Sequence, residues 1–412
     1  MVKFVETDEM KLSFISEYEG NDSIIFPLFQ NRVEHPIENR LLGAFVFINE
    51  NCWVLMDGHN DCGVVDLSIL ERGERTQWIF DTKWILHILD LPHPKSIDVS
   101  YHLTELSHYN YDELYRLLVF RYRIANDLSF IPIVKIIEVV TNFVDANRKY
   151  ISDAVGGFDR YNGVILPSFL QIERNGIPTV SGKEFSLYNN FTTTGRPTNG
   201  FGGVNYSALN KSDGSRDRIV SENDEFYQYD FDGYHIRLIG KLINEPIPAT
   251  SAHEWLGRQY FGKDVITDEE YANSKAITFR QLYGGIDAEN LELPFYDKTN
   301  RLIQSMYKEF LINGYIETKF GKRIPFTKID AHNPQKVFNY YLQSLETEVN
   351  VMLLAELNTL LKGCRTKLVL YTYDSFLFDL DAKEMHIIPK IESILNKIAP
   401  TDLSKNHIYG KI

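Results

Sequence analysis

Cysteine is nearly absent from this 412-residue chain: Cys52, Cys62 and Cys364 are the three it has. No two form a CxxC pair, which argues against a disulfide framework and against a cysteine-based zinc site. Long apolar runs are missing too. None reaches the about 18 residues of a membrane span, and no signal-like apolar segment follows Met1. The expectation is a soluble, cytoplasmic protein with no membrane partner. Positive charge is also short, with a formal net charge of −13. Taken whole, that balance speaks against nucleic acid, but the acids are unevenly spread. Residues 1–120 hold 20 Asp and Glu against 9 Lys and Arg, so the rest of the chain is close to neutral. A near-neutral body can carry a basic groove, and a site that holds divalent cations needs carboxylates of its own. Apolar side chains, by contrast, are plentiful: 44% of residues are hydrophobic, enough for two or three domains.

Residues 23–70 read as short strands, "SIIFPLF", "LGAFVFIN", "CWVLMDG" and "CGVVDLSIL". Residues 76–90 read as a strand running into a helix, and 111–152 show helical periodicity. The Gly/Ser/Asn-rich stretch 192–218 has the composition of a flexible linker. Residues 225–240 return to strand and then helix, 251–287 and 297–313 read as helical, 314–326 as a hairpin with a basic tip, and 333–363 as a long helix.

Chemistry concentrates in two apolar hairpins that carry acids at their ends. "LVLYTYDSFLFDL" puts Asp374 at a strand–turn–strand tip, and "YQYDFDGYHIRLIG" puts Asp230 and Asp232 where a strand ends. A charge at such a tip costs several kcal/mol, in round terms ~2 or more, unless it is solvated, paired or bound to a cation. Paired carboxylates on adjacent strands would suit two divalent ions and in-line phosphoryl transfer. From these hairpins alone, two unrelated turn aspartates remain the plainer reading. In "NSKAITFRQLYGG", Lys275, Phe279 and Tyr283 share one helix face, a cation and two rings in the order a nucleoside triphosphate would need. Alone, that face reads more plainly as an amphipathic core stripe with a snorkelling lysine.

In this order the elements resemble the family A DNA polymerases, the bacterial polymerase I and phage replicase group. "DFDGYHIRLIG" is similar to the family's motif A, "KAITFRQLYGG" to motif B and "TYDSFLFDL" to motif C. "SAHEWLGRQYFG" resembles the helix with a phosphate-contacting His, "TTTGRP" the Thr-Gly-Arg segment, "GYIETKFGKRIPF" the basic hairpin, and "FNYYLQSLETEV" the helix that reads the template minor groove. The match covers about residues 164–412. The resemblance implies a multidomain α/β chain with a right-hand palm and fingers and a reduced thumb, preceded by a ribonuclease-H-like, degenerate exonuclease domain. The implied boundaries are 1–112 for the exonuclease-like domain, 113–163 for a helical linker or reduced thumb, and 164–412 for palm and fingers, with the fingers at about 251–313. It implies two Mg²⁺ ions, with Mn²⁺ able to substitute, held by Asp230, the Phe231 carbonyl and Asp374. Lys275 would act in catalysis and on the triphosphate, with His235, His253, Phe279 and Tyr283 around the nucleotide. Arg196, Arg237, Lys322, Arg323, Asn339 and Gln343 would contact DNA. The implied partners are primer-template DNA, dNTPs and a processivity factor or other replication protein. The reduced size suggests a viral origin, which would place the protein in the host cytoplasm.

The departures from the family pattern are specific. His235 stands where a sugar-gating Glu is usual, Ser375 leaves motif C with a single acid, Tyr271 replaces an Arg before the motif B lysine, and Gln335 replaces a template-side Arg. Asp-Ser in motif C is similar to the single-subunit phage RNA polymerases. An RNA polymerase or primase-like enzyme is therefore an alternative, as is an inactive nucleic-acid-binding scaffold. In the N-terminal third, the first strand "IIFPLFQ" has no carboxylate and Ile85 falls where a metal-binding Asp would, leaving Asp112 as a lone acid. One acid cannot hold two Mg²⁺ ions, so no proofreading is expected.

Overall fold

The computed structural model describes residues 1–91, 96–100, 103, 127–152, 161–329 and 333–412. Among these, no helix is long and apolar enough to cross a membrane. The chain forms two compact units. The first is Met1–Gly176 with Phe185–Leu187 and Gly200–Val204; the second is Ile177–Glu184, Tyr188–Asn199 and Asn205–Ile412.

The first unit is built on a six-stranded sheet. Its strands are β1 (Val2–Phe4), β2 (Ser23–Phe29), β3 (Leu41–Ile48), β4 (Asn51–Met56), β5 (Gln77–Ile79) and β6 (Ser96–Asp98), in the order β1-β4-β3-β2-β5-β6. β2 is buried along its whole length, as an unbroken apolar run dictates for a strand covered on both faces. β2, β3 and β4 run antiparallel; β5 and β6 continue from β2 in parallel. Helices α1 (Asp8–Gly20) and α2 (Thr82–Leu86) belong to this unit. Helix α3 (Ile133–Ser152) sets Ile133, Ile136, Ile137, Val140 and Val144 against Phe26, Phe45 and Val54 in one core. Residues 133–152, part of the expected linker or reduced thumb, pack on this sheet through that apolar stripe. Residues 113–126 and 153–160 of the same segment lie outside the described residues. A correction concerns "CGVVDLSIL". It ends in a 3-10 turn, Leu67–Arg72, because the Asp66 carboxylate accepts from the Ser68 N–H at 3.0 Å and caps a turn in place of strand pairing. Helix α4 (Leu166–Asn175) closes the unit.

The second unit is built on a four-stranded antiparallel sheet. Strands β7 (Glu225–Phe231), β8 (Lys367–Thr372), β9 (Ser375–Leu380) and β10 (Thr401–Asn406) lie in the order β8-β9-β7-β10. Helix α5 (Tyr234–Leu242) follows β7 at once, through Gly233 at φ 55°. Only glycine fits there: a Cβ would lie 2.5 Å from the Ala252 Cβ. The expected helical stretch 251–287 is two helices, α6 (Ala252–Phe261) and α7 (Asp268–Phe279), because Gly262 takes a left-handed C-cap and Thr267 with Glu270 forms a capping box that starts α7 afresh. A single wide turn, Arg280–Gly284, extends α7. Helices α8 (Pro294–Asn313) and α9 (Pro334–Leu360) flank the hairpin Tyr315–Glu317/Arg323–Pro325. The stretch 192–218, expected to be a flexible linker, holds strands Thr198–Phe201 and Val204–Asn205 and a turn closed by Thr192 Oγ1 donating to the Arg196 carbonyl at 2.9 Å.

Candidate active site

β7 and β9 pair so that Asp230 lies opposite Ser375, and the Phe231 N–H donates to the Asp374 carbonyl at 3.0 Å. The two hairpin ends therefore meet, as a shared ion site requires. β8 and β9 are joined by a two-residue turn in which Tyr373 takes φ 60°. That conformation costs a non-glycine residue roughly 1–2 kcal/mol. Two contacts offset the cost. Asn350 Nδ2 donates to the Tyr373 carbonyl at 2.6 Å, and the Arg196 guanidinium lies over the Tyr373 ring, 3.7 Å from its centroid. Asp374 is exposed and lines the cleft. Desolvation first, then the charges of Glu346 and Asp230, push its pKa up to about 6.

The cleft encloses about 390 Å³. Five acids line it: Asp230, Asp232, Glu346, Asp374 and Asp402. Asp402 was not singled out from the sequence; β10 places it opposite Asp230. Burial, then the charges of Asp232 and Asp230, raise its pKa. Asp232 is neutralised by Arg237 at 2.6 Å and accepts from the Ala252 N–H at 2.8 Å. Carboxylates are the hard oxygen donors that Mg²⁺ or Mn²⁺ takes, and their mutual repulsion is what a divalent cation would relieve.

Arg237 is a correction. Its guanidinium is buried and donates to the Asp232 carbonyl and carboxylate and to the carbonyls of Pro248 and Thr250. It braces the loop that starts α6 and has no face to offer DNA.

Across the cleft, Lys275, Phe279 and Tyr283 line one wall, as their spacing predicts. Phe279 and Tyr283 stack with centroids 5.9 Å apart and planes 14° apart, and Phe279 is half exposed into the opening. Lys275 Nζ rests over the Tyr271 ring. His253 is buried beside them, and its Nδ1 has no hydrogen-bond partner. Desolvation and then the Lys275 charge lower its pKa to about 4, so the ring is neutral at pH 7.

No family model matches the chain, and no curated protein matches it. Among solved structures it is similar to the POL domain of Pol1 from M. smegmatis in complex with DNA primer-template and dNTP. The TM-score is 0.75 at 11% identity, covering 100% of this chain and 99% of that one. The chain has the fold of a DNA polymerase domain.

In this polymerase fold a second groove opens beside the first, lined by Thr192, Thr193, Thr194, Lys336, Asn339 and Gln343. Asn339 also donates to the Tyr283 carbonyl at 3.3 Å, which ties α9 to the wide turn after α7. The basic hairpin leans on the Thr-Gly-Arg turn: a Cβ on Gly195 would lie 2.6 Å from Lys322 Nζ. Arg323 is exposed and is paired with Glu317 at 2.7 Å. Sequence reasoning missed Glu346 and Asn350. Asn339, Gln343, Glu346 and Asn350 follow the 4-3-4 spacing of one helix face, but Ser344, Thr347 and Glu348 lie between them, so the spacing alone does not single them out.

In the first unit, Ile85 is fully buried and β2 carries no acid, as expected; Asp112 lies outside the described residues. In this unit, and among the described residues, His35, His87 and Glu173 bring three potential ligand atoms within 4.8 Å of one another. Lys83 Nζ already sits 2.7 Å from the Glu173 carboxylate and supplies its countercharge.

Proposed function

We propose that the chain is a template-directed DNA polymerase that adds dNTPs to a primer 3′ end by two-metal phosphoryl transfer, without proofreading. The observation that carries this is the meeting of the Asp230 and Asp374 hairpin ends in an open cleft, opposite a wall of one lysine and two stacked rings. The likeness to a polymerase domain solved with primer-template and dNTP supports the same partners for this chain.

Asp230, Asp374 and the Phe231 carbonyl are the residues that would hold Mg²⁺, which when bound lowers the pKa of the attacking 3′-hydroxyl and offsets charge on the leaving oxygen. The protein's own contribution is positioning. Lys275 offers its ammonium to the triphosphate. His253, lining the same cleft, can contact a phosphate by donating an N–H. Phe279 presents an open ring face to a base, and Arg196, Asn339, Gln343, Lys322 and Arg323 line the DNA side. The order of the five strands β2–β6, three antiparallel and two parallel, supports a ribonuclease-H-like first unit. Its acid-free central strand and Ile85 support the loss of exonuclease chemistry. A reduced thumb, and with it low processivity and a clamp-like partner, belongs to the same reading, as do a viral origin and the host cytoplasm.

The test is primer extension by the pure chain with dNTPs alone and rNTPs alone, in Mg²⁺. Template-directed dNTP addition that Asp374→Ala abolishes, with primer-template binding retained, is the expected result. Full activity in that variant overturns the proposal, and metal-dependent 3′→5′ digestion of mismatched primer ends overturns its proofreading clause. His235 and Ser375 favour one second reading, an RNA polymerase or primase-like enzyme, which requires extension with rNTPs alone.

A further inference from the structure

Glu346 is 2% exposed, and a carboxylate that deep is costly unless its oxygens are bonded. One oxygen takes a hydrogen bond from His235 Nε2 at 2.7 Å, and the other lies 3.6 Å from Arg196 Nη2. His235 Nε2 is thus engaged with the carboxylate. Its Nδ1 faces the Tyr283 hydroxyl within hydrogen-bond reach. The imidazole is thus held at both nitrogens, and turning it breaks both bonds. Three elements meet in this chain of bonds: α9 supplies Glu346, the first turn of α5 supplies His235, and the turn after α7 supplies Tyr283.

We infer that Glu346 is a positioning residue that locks His235 and Tyr283 into one rigid wall of the nucleotide pocket, and that this lock sets discrimination between deoxyribose and ribose. The inference rests on the polymerase reading. In a nucleotide the sugar lies covalently between phosphate and base. With phosphates at Lys275 and the base on the rings of the α7 wall, the sugar faces His235 across the cleft. A locked ring cannot swing aside for an added 2′-hydroxyl. Both polar atoms of that ring are engaged already, so an inserted hydroxyl would find no partner there.

The experiment is single-nucleotide addition with dNTP and with rNTP, comparing wild type, Glu346→Leu and Glu346→Gln, with thermal melting of each. Glu346→Leu removes the lock. It should raise KM for dNTP about tenfold and the rNTP:dNTP ratio of kcat/KM by about tenfold, with a smaller change in kcat. Glu346→Gln keeps an acceptor for His235 Nε2 and should stay within about threefold of wild type. In the rNTP:dNTP ratio the double variant His235→Ala/Glu346→Leu should match His235→Ala, since Glu346 acts on the sugar through the ring. Should Glu346→Leu melt too low to assay, His235 variants carry the test. His235→Gln, whose amide can donate to Glu346 and accept from Tyr283, should preserve discrimination, and His235→Leu should lose it. Unchanged dNTP KM and sugar ratio in Glu346→Leu, or equal ratios in the two His235 variants, overturns the inference while wild-type incorporation stands. A wild type that incorporates neither nucleotide overturns the polymerase reading itself.

Discussion

Replacing Asn350 with leucine should loosen the strained turn that carries Asp374. Asn350 is fully buried, and its amide spends every polar atom on the site. Oδ1 accepts from the Tyr234 hydroxyl, and Nδ2 donates to the Tyr371 hydroxyl at 2.9 Å and to the Tyr373 carbonyl at 2.6 Å. The substitution keeps the branching of the side chain and strands three polar groups, each costing about 1–3 kcal/mol when buried without a partner. Burying the extra apolar surface recovers about 1–2 kcal/mol, for a net loss of roughly 2–7 kcal/mol. In a unit of this size that lowers the melting temperature by roughly 5–25 °C. Activity should fall further than stability, because the left-handed Tyr373 loses the bond that offsets its strain and Asp374 moves with it. Urea melts give the first quantity; single-turnover dNTP addition at 20 °C, where the variant is still folded, gives the second. A variant within about 1 kcal/mol of wild type, or one that is destabilised but keeps wild-type single-turnover rates, would refute the reasoning.

Other consequences are as direct. Asp374, with its pKa raised to about 6, is protonated below that pH; nucleotide addition at low Mg²⁺ should fall as pH drops through 6, and Glu346→Gln should move the limb to lower pH by removing a neighbouring charge. A limb that stays put in the variant would show that Glu346 does not act on Asp374. Gly233→Ala should destabilise by about 2–4 kcal/mol, from left-handed strain plus the clash with Ala252, read by denaturant melts; an effect under about 0.5 kcal/mol contradicts the close approach. Lys275→Ala should raise KM for dNTP at least about tenfold and leave the primer-template Kd unchanged; a matched loss in both would place the lysine on DNA instead.

Local pattern carried much of this protein into the sequence reading. The apolar, β-branched and aromatic runs beside Asp374 and Asp230 specify strands, and the structure buries them on both faces. Lys275 and Phe279 share a face by helical spacing, and the wide turn after α7 keeps Tyr283 on the same wall. Only the packed chain decided which of these faces meet. Arg237 matches its expected position by spacing, yet backbone carbonyls from the loop before α6 consume its guanidinium. Helix α3 is amphipathic whichever layer it covers, and the sheet of the first unit claims it. Glu346, Asn350 and Asp402 look like ordinary polar residues along a helix and an edge strand. They acquire meaning when His235, the Tyr373 carbonyl and Asp230 arrive from elsewhere in the chain. Spacing sets which side of an element a group occupies. A buried donor, acceptor or charge is defined by its partners, and those are brought together by the tertiary fold.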